Sequence, residues 1–200
     1  MKIIKSEKEI TEYCSNLNTS TSFVATMGSL HQGHVKLMDE AKKYSDILIA
    51  SLFVNPLQFN NPNDLSSYPK NLENDIKIFE KNNVDLLYIP EEKDIISPSL
   101  KNINSGFQGK ILEGKFRPGH FDGVLTIVNK FLEIIKPNFA FFGIKDIQQL
   151  CLIYSKLSLL HNTKIIPVET ERDSNGLALS SRNNLLSISE KKEASIIFKG

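Results

Sequence analysis

Tryptophan is absent from this chain of 200 residues, cysteine occurs twice and arginine three times. Cys14 and Cys151 lie far apart in no pairing or metal-binding pattern, so we expect buried free thiols without a redox role. Arg117, Arg172 and Arg182 each lie in a stretch dense in Gly, Ser or His. A planar guanidinium there suits a phosphate or carboxylate ligand, although a genome rich in Lys and Asn would also make arginine rare.

Long apolar runs and an excess of charge are also missing. The most apolar run, residues 47–54, is far shorter than the roughly 20 residues of a membrane-spanning helix. The formal charge of +1 provides no global field for nucleic acid or an anionic membrane. Residues 1–10 lack the apolar core and cleavage site of a secretory signal. We therefore expect a soluble, cytoplasmic protein with no nucleic-acid or membrane partner, and 40% apolar residues suffice for a sizeable core.

The hydrophobic pattern alternates between strand-like and helix-like segments. It predicts strands over 22–26, 46–54, 84–89, 139–143 and 164–168, and helices over 35–44, 72–79, 124–135, 147–160 and 187–198. Ser187 is the expected N-cap of the last helix, with Glu190 at the capping-box position. This order predicts an α/β fold whose parallel sheet binds ligands at the carboxyl ends of its strands. The loops of interest are 27–34, 55–68, 90–120, 143–149 and 169–183.

The strongest local signal is the octapeptide MGSLHQGH, residues 27–34, between the first predicted strand and the first predicted helix. A helix start offers unpaired N–H groups, and His31 and His34 add donors that can follow charge on a nucleotide phosphate. A metal site is the alternative, but His-x-x-His supplies only two ligands. A second alternative is that the two histidines are structural or only cap the helix. Neither a Walker nor a dinucleotide glycine fingerprint occurs.

The octapeptide resembles the HxGH signature of a nucleotidyltransferase superfamily, in the form found in the pantothenate synthetase (pantoate–β-alanine ligase) family. Further motifs similar to that family's pattern follow in family order. They are Phe53 to Phe59, Asp64-Leu65 with Tyr68-Pro69, Glu113-Gly114 with Arg117 to Phe121 and Gly123-Val124, Phe142-Gly143 with Lys145-Asp146 and Gln148-Gln149, and Gly176 to Asn183. On these motifs the chain is identified as a member of the family.

The resemblance implies a fold and a reaction. The fold is a Rossmann-like, doubly wound parallel sheet domain over residues 1–180, followed over residues 181–200 by only the start of a C-terminal lid domain. The reaction is the ATP-dependent condensation of pantoate with β-alanine through a pantoyl adenylate, which releases pyrophosphate and then AMP, uses Mg²⁺ and takes place in a homodimer. Without the rest of the lid, the chain is expected to bind ligands but to turn over slowly or lose adenylate to water.

The resemblance also implies site residues. Catalytic roles fall to His34, His31, Lys145 and Arg182. ATP binding is implied for Met27, Gly28, Ser29, Leu30, His31, Gln32, Gly33, His34, Gly143, Ile144, Lys145, Asp146, Glu171, Leu179, Ser180, Ser181 and Arg182. Pantoate or β-alanine binding is implied for Gln58 and Gln149, with Asn55, Arg117 and His120 beside them. These residue types fit, because an amide both donates and accepts and a lysine reaches a phosphate as a point charge.

Some of these assignments have alternatives. Gln58 and Gln149 would be solvent-facing loop amides in an unrelated protein, and Asp146 can hold ribose, a metal or the N-terminus of the next helix. Arg117 and His120 can bind an anion, complete the pocket wall or build a dimer-facing loop.

Asp75, next to Asn74, matches a family acidic pair implicated in Mg²⁺ binding, but a solvated helix face is the favoured interpretation. The metal can instead accompany ATP, because Mg²⁺ keeps most of its waters and binds phosphates.

Three departures from the family pattern leave two other functions open. Ile144 replaces a usual Glu, Glu171 a small apolar residue near adenine, and Asn175 a usual Asp. With the partial lid, they favour a catalytically weak or inactive nucleotide- or pantoate-binding module. A related nucleotidyltransferase with another substrate is disfavoured, because Gln58 and Gln149 are both present.

Overall fold

The computed structural model of the chain describes residues 1–198. Its strands are β1 (Lys2–Ile4), β2 (Thr21–Thr26), β3 (Ile47–Leu52), β4 (Leu86–Tyr88), β5 (Phe139–Gly143) and β6 (Lys164–Val168). Its α-helices are α1 (Glu7–Ser15), α2 (Gln32–Ala41), α3 (Pro62–Ser66), α4 (Leu72–Lys81), α5 (Glu92–Ile95), α6 (Glu113–Phe116), α7 (His120–Ile135), α8 (Ile147–Leu157) and α9 (Ile188–Ala194). Short 3₁₀ turns cover Pro56–Gln58, Phe107–Lys110, Ile144–Asp146, Ser181–Leu185 and Ser195–Phe198.

All six strands form one parallel sheet in the order β1-β4-β3-β2-β5-β6. From β2 the chain first builds outward through β3 and β4, then returns to the other side of β2 to add β5 and β6. The order therefore reverses between β2 and β5. In doubly wound folds a crevice opens at this reversal, at the carboxyl ends of the two strands. The predicted α/β class is confirmed.

The sheet is covered on both faces, which explains its nearly continuous apolar strands. Successive side chains of a strand point to opposite faces, so Phe23 of β2 joins the core formed with α1, α7 and α8, and Val24 joins the core formed with α2 and α4. Helix α7 is buried along most of its length. This central helix fixes one side of the crevice.

Several predicted boundaries differ from the structure, each for a local reason. Strand β1 was not predicted, because its three residues give no readable period. Helix α1 was not predicted either, and it buries only one residue, Ile10. Helix α2 begins at Gln32 rather than at 35, since His31 caps it. Helix α7 begins at His120 rather than at 124, after Gly119 at φ +80°. Helix α9 ends at Ala194, before a 3₁₀ turn.

The last helix confirms its predicted cap. Ser187 Oγ accepts from the backbone N–H of Glu190, whose carboxylate accepts in return from the N–H of Ser187. The division of the chain at residue 180 stays a prediction.

The expectation of buried thiols holds only partly. Cys14 is half-buried, and burial raises the pKa of its thiol to about 11. Cys151 is exposed because it lies on the outward side of α8, so the expectation was wrong there. Within residues 1–198, no helix has both the length and the apolar character needed to cross a membrane.

Phe131 of α7 connects the helix to the sheet, and this packing generates a prediction. Its ring meets Phe23, Phe53 and Tyr88 edge-on at centroid distances of 5.9, 6.0 and 6.0 Å. Phe131→Ala is expected to lower the free energy of unfolding by about 3–5 kcal/mol in urea titrations, through lost burial and a residual cavity. Phe131→Leu, which fills part of that cavity, should cost less. Equal losses, or a loss near zero for alanine, would contradict this packing.

Candidate active site

Two adjoining cavities open at the carboxyl ends of β2 and β5. The first, the α7 cavity, encloses about 240 Å³ and receives residues from all five loops that the sequence singled out. The second, the α2 cavity, encloses about 200 Å³ between the start of α2 and the segments that follow β5 and β6. The two share the residues Met27, His34, Tyr68, Lys145, Asp146 and Arg182, which we call the junction. Ligands in the two cavities would therefore meet at the junction.

The two histidines of the octapeptide cap the N-terminus of α2. His31 is the N-cap, and its Nδ1 accepts from the backbone N–H of Gly33 at 3.1 Å. His34 Nδ1 accepts from the N–H of His31 at 3.2 Å, and the two rings lie 4.2 Å apart. Since Nδ1 is the acceptor in both rings, the proton of each neutral imidazole resides on Nε2. The sequence left open a helix-capping role for these histidines, and the structure shows it. Capping uses only Nδ1 of each ring, so Nε2 remains available to a ligand.

The sequence predicts unpaired N–H groups at this helix start, but four N–H groups of the octapeptide already have acceptors within the chain. The N–H groups of His31 and Gly33 donate to the histidines, and those of Ser29 and Leu30 donate to Asp75.

Both histidines are held neutral. Burial, together with the neighbouring His31 and Lys145, lowers the pKa of His34 to about 3. Burial and Lys145 also lower the pKa of His31, while Asp146 acts in the opposite direction. Each ring is therefore an uncharged Nε2–H donor at neutral pH.

Two cations lie at the junction. Lys145 Nζ donates to Asp146 Oδ1 at 3.1 Å. Asp146 occupies the N-cap position of α8 without a side-chain cap bond, so the helix-capping alternative for this residue is not observed. Arg182 Nη2 donates to both oxygens of Asp64 at 3.1 and 3.0 Å. These ion pairs are partly exposed, so an anionic ligand can compete for either cation.

The α7 cavity contains the predicted amides. Gln58 and Gln149 are half-buried along its wall, so the solvent-facing alternative is wrong for both. Asn55 is buried, and its amide donates to Gln58 Oε1 and to the carbonyl of Gly123, each at 3.1 Å. Its Oδ1 accepts from the N–H of Leu57 at 3.0 Å. Asn55 thus holds Gln58 in place.

Arg117 and His120 complete the wall of the same cavity, one of their three proposed roles. His120 is buried, and its Nδ1 donates to the carbonyl of Gln58 at 2.8 Å because a carbonyl can only accept. Burial lowers the pKa of His120. Arg117 pairs with Glu113 at 2.7 Å. Apolar side chains line the rest of the cavity, among them Phe53, Val124, Val128, Phe131 and Phe142.

The structure brings most of the predicted nucleotide residues to the α2 cavity. They are Met27, His31, Gly33, His34, Gly143, Lys145, Asp146, Glu171, Leu179, Ser180, Ser181 and Arg182. Ser29 and Leu30 instead line an adjoining recess with Lys191, on the other side of His31. Gln32 is exposed, Gly28 lies against Asp75, and Ile144 packs on the core.

The departures from the family pattern are accommodated locally. The Glu171 carboxylate pairs with Lys36 Nζ of α2 at 3.0 Å on the rim of the α2 cavity. Asn175 lies in an exposed turn, where its N–H donates to Asp173 Oδ1 at 2.8 Å.

Tyr68 is a site residue that the sequence named only as part of a motif. It is buried, lines both cavities and packs its ring against Phe59 at 5.7 Å. Burial raises the pKa of its phenol. A buried aromatic in the loop after β3 has no periodic signature, so only the motif could have indicated it.

Asp75 corrects two expectations. It is 1% exposed, so a solvated helix face is wrong: the first turn of α4 packs directly beneath the octapeptide. Its two oxygens accept from the N–H groups of Leu30 and Ser29, each at 2.8 Å. Among residues 1–198, no three His, Cys, Asp or Glu side chains cluster to hold a metal ion. Because both of its oxygens already accept backbone hydrogen bonds and the residue is buried, Asp75 does not fit a magnesium ligand.

The neutral state of His34 generates a prediction about stability. Its pKa is about 3 in the folded chain against 6.5 for the ordinary side chain, so the unfolded chain binds more protons between these values. The stability that depends on the neutral ring is complete above pH 6.5 and falls as the pH drops toward 3. Between pH 7.5 and 5, wild type should lose about 2 kcal/mol more unfolding free energy than His34→Gln. Parallel urea-derived curves would contradict the lowered pKa.

Comparison with known proteins assigns a family to this geometry. The family model described as pantoate-beta-alanine ligase matches residues 2–200. A pantothenate synthetase of Bdellovibrio bacteriovorus is 40% identical over 200 residues, which are 99% of this chain and 80% of that protein. One from Francisella tularensis subsp. novicida is 48% identical over 186 residues, covering 88% of this chain and 69% of that protein.

Solved structures agree. The pantoate-beta-alanine ligase of Francisella tularensis, complexed with beta-gamma ATP and beta-alanine, matches with a TM-score of 0.93 at 44% identity, over 100% of this chain and 78% of that one. The pantothenate synthetase of Thermus thermophilus matches with a TM-score of 0.91 at 35% identity, over 100% of this chain and 72% of that one. The chain therefore belongs to the pantoate–β-alanine ligase family.

Proposed function

We propose that this chain performs its family's reaction, the ATP-dependent ligation of pantoate to β-alanine through a pantoyl adenylate. The observation that carries the proposal is the meeting of two cavities at His34 and Lys145. A reaction between a carboxylate and an α-phosphate needs two binding sites that share one boundary, with donors and cations at that boundary.

Pantoate fits the α7 cavity by its chemistry. It carries a carboxylate, two hydroxyls and a carbon with two methyl groups. Gln58 and Gln149 can donate to and accept from the polar groups, and the apolar wall suits the methyl groups. Because Asn55 fixes the Gln58 amide, the hydroxyl-binding geometry is set before the substrate arrives.

ATP fits the α2 cavity, with its phosphates directed to the junction. A carboxylate oxygen of pantoate forms a bond to the α-phosphorus, and the bond from that phosphorus to the β-phosphate oxygen breaks, which releases pyrophosphate. The amine of β-alanine then attacks the acyl carbon, loses a proton and displaces AMP. In this proposal His34 Nε2–H and Lys145 stabilise charge on the phosphate oxygens, and Ser180, Ser181 and Arg182 bind the leaving phosphates. The position of all five residues on the wall of the α2 cavity supports these roles.

We assign Mg²⁺ to the bound nucleotide rather than to a protein cage. Mg²⁺ keeps several waters and binds substrate phosphates, and the failure of Asp75 to fit a metal supports this arrangement. The metal then enters as part of the substrate. The cytoplasm as the place of the reaction stays a prediction from the sequence.

A homodimer is the partner we propose, with an exposed apolar surface of α8 and the loop before α7 as the contact. Ile147 and Tyr154 on α8 are 54% and 61% exposed, and Phe107, Leu112 and Phe116 of the loop are 77%, 71% and 79% exposed. Gln148 joins the two parts, since its amide donates to the carbonyls of Gln108 and Ile111 at 2.9 and 2.8 Å. Exposed apolar side chains on two segments that are joined in this way favour covering by a protein partner.

The test of the dimer is the molar mass in solution. Wild type should elute at twice the mass of one chain in light scattering, and Tyr154→Glu should shift the population toward the monomer because it places a charge in the apolar contact. A wild-type chain that is monomeric at high micromolar concentration would overturn this part of the proposal.

The test of the reaction is pyrophosphate release from ATP and pantoate, without and with β-alanine. We expect release in both cases and pantothenate only in the second. His34→Ala should lower kcat by about 10²- to 10³-fold through loss of one aligned donor. His161→Ala is the matched control, because His161 bonds to Asn129 outside both cavities and should leave kcat unchanged. Saturable ATP binding without pyrophosphate release would favour the inactive module.

A further inference from the structure

The octapeptide turns in an unusual backbone conformation. Gly28 has φ +83° and the following Ser29 has φ +52°, so two consecutive residues lie in the left-handed region, one of them with a side chain. Such conformations persist only where surrounding contacts enforce them. Because this turn sets where α2 begins, its shape determines where His34 reaches the junction and where His31 lies in the α2 cavity.

The contact that enforces the turn comes from Asp75, 45 residues or more along the chain. Its Oδ2 accepts from the N–H of Ser29 and its Oδ1 from the N–H of Leu30, both at 2.8 Å. A carboxylate that receives two backbone donors makes strong, charge-assisted hydrogen bonds with fixed geometry. Asp75 forms no ion pair with any Lys, Arg or His in the described part of the chain.

The fit around this carboxylate leaves little room. A Cβ added at Gly28 would lie 2.8 Å from Asp75 Oδ2, so the turn and the carboxylate touch directly. With 1% of the residue exposed, no hydrated cation can approach. Magnesium demands octahedral coordination and usually retains several waters, which this packing excludes.

We propose that Asp75 is a positioning residue of the adenylation reaction: it fixes the left-handed turn of the octapeptide and thereby aligns His34 at the junction and His31 beside it, without binding metal. This inference rests on the proposed function. Loss of the carboxylate would let the turn relax, and a displacement of about 1 Å at a catalytic group can cost about 100-fold in rate.

Asp75→Asn tests the proposal, since an amide oxygen can accept one of the two bonds while its NH₂ group faces the other donor. We expect kcat for pyrophosphate release to fall at least 10-fold, with the pantoate KM changed less than 2-fold because the Gln58 amide is held independently. The Mg²⁺ concentration for half-maximal activity should stay unchanged. Active-site titration normalises the rates, so a mere loss of folded protein would not produce this split.

Glu73→Gln is the matched control, because Glu73 is an exposed carboxylate in the first turn of the same helix. It should leave every constant unchanged. The proposal is overturned if Asp75→Asn retains the wild-type kcat, or if it needs at least 10-fold more Mg²⁺ and recovers full kcat at saturation, which would identify a metal ligand.

A measurement on the wild-type chain keeps the test independent of activity and of the variant's folding. The amide protons of Ser29 and Leu30 should exchange with solvent slowly, as expected for hydrogen bonds to a buried carboxylate, although both residues lie in a loop. Fast exchange of both would overturn the positioning role even if the ligase activity is confirmed. Slow exchange in a chain without ligase activity would leave the anchor supported and reject only the proposed function.

Discussion

Side-chain acceptors hold the backbone N–H groups of the turn between β2 and α2, and the rest of the site depends on this interaction. Asp75 takes those of Ser29 and Leu30, and the histidine rings take those of His31 and Gly33. A helix start normally presents such groups to a ligand. Here the N–H groups of His31 and Gly33 fix the two imidazoles, so the ligand meets Nε2–H groups in a set orientation.

The same arrangement explains the electrostatics of the junction. A neutral imidazole is an adequate donor, and the neighbouring positive charge of Lys145 helps to hold His34 neutral. Bound phosphates would offset that positive charge and raise the pKa of His34, so nucleotide binding and proton affinity are linked. The sheet topology determines where the junction lies. The strand order reverses between β2 and β5, which places the octapeptide next to the segment that carries Lys145.

Much of this could be predicted from the sequence, because it depends on local pattern. The predicted ranges of strands β5 and β6 agree with the structure at both ends. The five loops that follow the predicted strands also contribute residues to one cavity, as expected. The features that the sequence did not predict depend on contacts between segments that are distant along the chain. Asp75 lies on a helix whose first turn looks solvent-facing in sequence, and only the packing of α4 beneath the octapeptide buries it. The pairing of Arg182 with Asp64 and the burial of Tyr68 likewise join loops that no periodicity relates.

In the proposed reaction, the junction brings a pantoate carboxylate to the α-phosphorus of ATP. Pantoate labelled with ¹⁸O in its carboxylate tests this most directly, by mass spectrometry of the products after ligation with β-alanine. Attack on the α-phosphorus places one labelled oxygen in AMP and none in pyrophosphate. Label in inorganic phosphate or pyrophosphate, with unlabelled AMP, would contradict the account, because the carboxylate would then have attacked a different phosphorus.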